Sequence, residues 1–118
     1  MNHEKTVIYH NPRCSKSRET LQIIEDNQVD AEVVRYLDEP PDAAELKRIV
    51  GLLGIPAREL LRTGEAAYQD AGLDDNSSDD DVIQAICDQP ILLERPIVVR
   101  GNRAVIGRPP SKVLDLIA

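Results

Sequence analysis

Apolar positions along the chain change period several times, and each change marks an element. Thr6-Val7-Ile8-Tyr9-His10 is a short β-branched run ended by Asn11-Pro12, the pattern of a buried strand closed by a turn. From Ser15 to Asp26 the period lengthens to that of a helix, with Leu21 and Ile24 on one face and Asn27 placed to cap its end in a left-handed conformation. Val33, Val34, Tyr36 and Leu37 return to strand character. Two strands joined by one crossover helix of this length should be parallel and right-handed.

After Pro40-Pro41, Asp42 and Glu45 read as a capping box, and Leu46, Ile49, Val50 and Leu53 keep helical spacing. Pro56 opens a short helix carrying Leu60 and Leu61, and a polar stretch follows from Thr63 to Asp81. The next helix shows Val82, Ile83, Ile86 and Cys87 on one stripe, which assigns Cys87 to the core, and Pro90 stops it. Ile97-Val98-Val99-Arg100 and Arg103-Ala104-Val105-Ile106 flank Gly101-Asn102, a two-residue hairpin with a primed-turn signal. Gly107-Arg108-Pro109-Pro110 breaks the strand, and Val113, Leu114 and Ile117 mark a closing helix.

The order β-α-β, a helical insertion over about residues 42–90, then β-β-α is the thioredoxin-like plan. Its class is α/β, with a four-stranded mixed sheet made of a parallel pair and an antiparallel hairpin, and helices on both faces. At 118 residues the chain should form a single domain that buries about two-thirds of its unfolded surface.

Charge and composition remove several classes of function. A net charge of −7 argues against nucleic acid as a partner, because that interface needs a basic stripe to displace counterions. Much of the acidity sits in Asp74-Asp75-Asn76-Ser77-Ser78-Asp79-Asp80-Asp81, which lacks the glycine and spaced glutamate of a calcium loop. It reads as a solvated turn ending in an Ser78 N-cap, with Asp79 to Asp81 complementing the helix dipole. No apolar run approaches the about 20 residues of a membrane span, and Met1 to Lys5 is polar, so no membrane association is expected. Two distant cysteines do not make a disulfide framework, which points to a reducing compartment and a cytoplasmic location. No bound cofactor or metal is expected.

Cys14 carries the candidate chemistry. It falls between the end of the first strand and the start of the first helix, where backbone N–H groups lack intrahelical partners and the dipole favours a thiolate. His10, Arg13, Lys16 and Arg18 add potential positive charge, and Ser15 and Ser17 add hydroxyl donors. Cysteine is a poor N-cap compared with serine or aspartate, so its presence among these donors favours a nucleophile over a cap. Cys14-Ser15-Lys16-Ser17 is not Cys-x-x-Cys, and Thr20 stands where a phosphatase loop would carry arginine. A thiol acting alone needs an external thiol to complete turnover.

The block His10-Asn11-Pro12-Arg13-Cys14-Ser15-Lys16-Ser17-Arg18-Glu19-Thr20-Leu21 resembles the active-site loop of the glutaredoxin-coupled arsenate reductases, and its Ser-Lys-Ser segment resembles a short sub-branch of them. Glu94-Arg95-Pro96-Ile97-Val98 and Ile106-Gly107-Arg108-Pro109-Pro110 are similar to two further signatures of that family, and Leu61-Arg62 occupies the place of its inserted-helix arginine. The resemblance implies that Cys14 attacks arsenate while Arg62, Arg95 and Arg108 grip its oxygens and His10 helps hold the thiolate. Ser15 and Ser17 would support the oxyanion. It also implies glutathione as co-substrate, glutaredoxin as the partner that recycles the mixed disulfide, and a cis Arg95-Pro96 bond before the third strand. Two other readings stay open: a reductase using glutathione on another substrate, and a regulatory module of the same fold that binds a protein partner. The regulator that the second reading resembles uses a Cys-x-x-Cys switch, which Ser17 removes here.

Overall fold

The computed structural model describes residues 5–74 and 76–117. Residues 1–4 of the polar N-terminal segment and Asp75 of the acidic run lie outside the described residues. The chain divides into two compact units, Met1–Glu39 with Arg95–Ala118, and Pro40–Glu94.

The first unit holds β1 (Thr6–His10), α1 (Ser15–Asp26), β2 (Ala31–Arg35), β3 (Ile97–Arg100) and β4 (Arg103–Ile106). The strands form one four-stranded mixed sheet in the order β2-β1-β3-β4. β1 runs parallel to β2, with His10 opposite Arg35, and antiparallel to β3, with Tyr9 opposite Ile97. Its central place explains why its apolar run is nearly continuous. The β3–β4 hairpin turns at Gly101, whose φ of 58° is the left-handed value that a primed turn requires. Ile8, Ile24, Val98, Val113 and Leu116 close the core that α1 and the C-terminal segment make with the sheet.

Three expectations change in this unit. β2 stops at Arg35, because the N–H groups of Asp38 and Glu39 both turn back onto its carbonyl at 2.9 and 2.8 Å. Tyr36 is therefore in a turn, fully buried, and Leu37 is exposed. Asn27 is not left-handed at φ −91°; its side-chain amide donates to the Ile23 carbonyl, and Gln28 takes the positive φ of 59° instead. The closing helix is a 3-10 turn, Pro110–Val113, running into a single-turn α5 (Leu114–Ile117), and it buries Val113 and Leu116 but leaves Leu114 exposed.

Gly107, between β4 and Arg108, is a close-approach position. A Cβ there would lie 2.6 Å from Thr20 Oγ1 and 2.8 Å from Pro96 Cγ, and Thr20 Oγ1 is itself tied to the Lys16 carbonyl at 2.8 Å. Gly107→Ala should therefore cost about 1–3 kcal/mol, the usual range for overpacking, read from the denaturant midpoint. Adding Thr20→Ala should recover part of that loss, since the two changes share one contact.

The second unit contains α2 (Ala43–Leu53), α3 (Ala66–Asp70) and α4 (Asp79–Asp88). Asp42 Oδ1 accepts the Glu45 N–H at 2.8 Å and Ser78 Oγ accepts the Asp81 N–H at 3.1 Å, as the capping patterns predict. Pro56 precedes a 3-10 turn, Ala57–Leu60, and Leu61 lies beyond it in a bridge to Leu93. α3 arises inside the polar stretch, where no apolar stripe marks it, and none of its residues is buried. The core of this unit is Leu46, Ile49, Leu60, Val82, Ile83, Ile86, Leu92 and Leu93. Cys87 is only half-buried: it flanks the Val82-Ile83-Ile86 stripe instead of joining it, which corrects its assignment to the core. Burial, then Asp88 and Asp42, push its thiol above the ordinary value, so it is a poor nucleophile. No helix among the described residues is long and apolar enough to cross a membrane.

Candidate functional site

The four residues between β1 and α1 form a tight turn. The Cys14 N–H donates to the Asn11 carbonyl at 3.0 Å, and Asn11 Oδ1 accepts the Arg13 N–H at 3.0 Å. Below the turn, Ser17 Oγ accepts the Asn11 N–H at 3.0 Å and lies 2.6 Å from His10 Nδ1. The Ser17 side chain is fully buried in these bonds, so what it turns toward Cys14 is its backbone N–H and not the hydroxyl that the sequence suggested as a ligand. Ser15 is exposed at the first position of α1.

Cys14 is the N-cap residue of α1 and is half-buried. Burial by itself pushes its thiol up, but the Ser17 N–H, the Arg95 side chain and the Lys16 N–H together outweigh it, and the thiol lies below its ordinary value. Arg108 closes the cluster. Its Nη2 points at Cys14 Sγ from 3.7 Å, and its Nε donates to the Arg95 carbonyl at 2.7 Å, which fixes the plane of the guanidinium. The Gly107 N–H donates to the Pro96 carbonyl at 2.9 Å and sets the height of this segment. The Arg95-Pro96 bond is cis, as expected, and so is Arg108-Pro109, which the sequence reading did not foresee.

His10 does not act as a cation here. Burial first, then the charges of Arg35 and Arg18, hold its imidazole below the ordinary histidine value, so it is neutral at pH 7 and braces the loop through Ser17. Tyr36, missed as a site residue, is fully buried, with its hydroxyl beside the Arg95 and Asn11 side chains. Burial raises that phenol against the pull of Arg95 and Asn11. Asn11 was also missed, although an Asn-Pro turn before a cysteine is a readable signal for a side chain that shapes the loop.

Arg62 belongs to the second unit, where two carboxylates hold it: Glu94 Oε1 at 2.9 Å from Nη1 and Glu65 Oε1 at 3.4 Å from Nε. Its backbone N–H donates to the Leu92 carbonyl at 2.7 Å. Glu94, the residue before Arg95, is thus a positioning group for Arg62 that the sequence pattern alone did not single out.

Residues 9–116 match the sequence profile of the ArsC family. The chain belongs to the ArsC family. It is 53% identical over 116 residues to an Escherichia coli K12 protein named as the uncharacterized protein YfgD, covering 97% of this chain and 98% of that one. It is 50% identical over 104 residues to a Neisseria meningitidis protein named arsenate reductase, covering 86% and 89% of the two chains. Among solved structures, an arsenate reductase from Vibrio cholerae superposes with a TM-score of 0.92 at 44% identity, covering 99% and 100%.

In this ArsC-family chain the first unit presents one activated thiol with two guanidiniums, Arg95 and Arg108, against it. That arrangement suits attack on a tetrahedral oxyanion, whose charge the planar forks neutralise. No cluster of three or more metal-ligating side chains occurs among the described residues. The depressed value of His10 also makes a prediction. The unfolded chain binds that proton at higher pH than the folded one, so stability should fall as pH drops from the ordinary histidine range through the lowered value. Denaturant midpoints measured across that window should slope in the native chain, and the slope should flatten in His10→Gln.

Proposed function

We propose that this chain is a glutathione-dependent arsenate reductase, with the Cys14 thiolate as nucleophile and Arg95 and Arg108 as ligands of the oxyanion. The observation that carries the reading is the Cys14 thiol, depressed by backbone N–H groups and Arg95 and faced by the anchored Arg108 guanidinium. Relatives over most of its length, named arsenate reductase, supply the substrate. The chain acts in the cytoplasm, where a reduced glutathione pool is present.

The Cys14 thiolate sulfur bonds to arsenic of dihydrogen arsenate, and one hydroxyl oxygen leaves as water after taking a proton from solvent. A glutathione thiolate then attacks the Cys14 sulfur, and the sulfur–arsenic electron pair stays on arsenic, which leaves reduced by two electrons as arsenite. A glutaredoxin thiolate attacks the glutathione sulfur of the mixed disulfide and returns Cys14 as the thiolate. Cys87, with its raised thiol, takes no part.

The test is arsenate-dependent NADPH oxidation with glutathione, glutaredoxin and glutathione reductase supplied. Turnover with stoichiometric arsenite supports the reading. Oxidation at the rate seen without arsenate rejects it.

A further inference from the structure

A groove of about 340 Å³ opens in the first unit beside the loop that carries Cys14, within the roughly 300–1,000 Å³ of small-ligand sites. One wall is the run from His10 to Arg13, and the other is Arg35, Leu37 and Asp38 at the end of β2. The parallel register that sets His10 opposite Arg35 brings the walls together. Arg13 and Arg35 are exposed, and neither has a carboxylate partner among the described residues; Asp38 is exposed and has no cationic one. In a chain of net charge −7, two such guanidiniums and one carboxylate on a single groove form a specific charge pattern.

We propose that this groove binds the resolving thiol, a small peptide thiol with two carboxylates and one ammonium, which is the charge pattern of glutathione. Arg13 and Arg35 take the carboxylates and Asp38 takes the ammonium. Leu37 and Pro12 supply the apolar contact between them. Cys14 does not itself line the groove but is the residue after Arg13, with their Cα atoms about 3.8 Å apart, so a peptide held by Arg13 lies beside the loop that carries the sulfur it must attack. The inference rests on the proposed reductase reading and adds where its second substrate sits.

The probe is S-methylglutathione, which keeps the charges but cannot form a disulfide, titrated into the full chain and followed by amide NMR shifts. Shifts at Asn11, Arg13 and residues 35–38, weakened at least about tenfold in Arg35→Glu and also weaker in Asp38→Asn, support the groove. Shifts centred elsewhere, no binding, or an affinity unchanged in a folded Arg35→Glu overturn it. A turnover arm reads the preference for glutathione over 2-mercaptoethanol as resolving thiol, a ratio in which effects common to both thiols cancel. That preference should fall at least about tenfold in Arg35→Glu, and an unchanged ratio overturns the proposal. A chain that binds S-methylglutathione in the groove yet reduces no arsenate with either thiol rejects the reductase reading and leaves the groove standing, so the two failures are distinguishable.

Discussion

Replacing Cys14 by serine lowers arsenate turnover by at least about a thousandfold and leaves the cooperative unfolding transition in place. The N–H groups of Ser17 and Lys16 and the Arg95 guanidinium stabilise a thiolate, whose ordinary value is already near the working pH. The same field acting on a serine hydroxyl falls many units short of ionising it. The backbone of the turn does not depend on the sulfur, because its bonds run through the Cys14 N–H, the Asn11 side chain and Ser17 Oγ. Turnover and thermal unfolding of the same preparation check both halves of the expectation. Activity that survives the change would move the nucleophile elsewhere, and a lost transition would make Cys14 a structural residue.

The second large effect is expected at the arginines. Arg95→Lys or Arg108→Lys should lower kcat/KM for arsenate by about 10²–10³, although the formal charge is kept. Arg108 does two things with one rigid plane: Nε holds the Arg95 carbonyl and Nη2 faces the Cys14 sulfur. A single ammonium cannot hold both positions at once. Arg95 in addition helps lower the thiol, so Arg95→Lys should shift the pH profile of Cys14 alkylation upward as well. Arsenate and sulfate should protect Cys14 from alkylation in the native chain and protect it less in either variant. An undiminished kcat/KM in both would remove the arginines from the oxyanion site.

Much of this was readable because the sequence signals and the physical causes coincide. α1 begins and ends where the periodicity places it, the Gly101-Asn102 hairpin turns as its residues dictate, and Ser78 and Asp42 cap the helices they precede. What escaped depends on tertiary context. β2 was read two residues too long, because Tyr36 and Leu37 look like strand residues, whereas the Arg35 carbonyl captures the N–H groups of Asp38 and Glu39. α3 has no apolar stripe to announce it. His10 was read as a charge beside the thiolate, and only its burial and the nearby Arg35 make it a neutral brace on Ser17. Tyr36 and Glu94 gain their places from neighbours that no local pattern specifies, whereas Asn11 carried a local turn signal that was left unused.

The most direct test of the central claim is a single turnover without glutaredoxin. The reduced chain is mixed with arsenate and glutathione, arsenite is quantified, and the protein is analysed by intact mass and peptide mapping. The account predicts one arsenite released per chain and one glutathione attached to Cys14, formed only when arsenate is present. Arsenite without modification of Cys14, or glutathione attached at Cys87 instead, would contradict it.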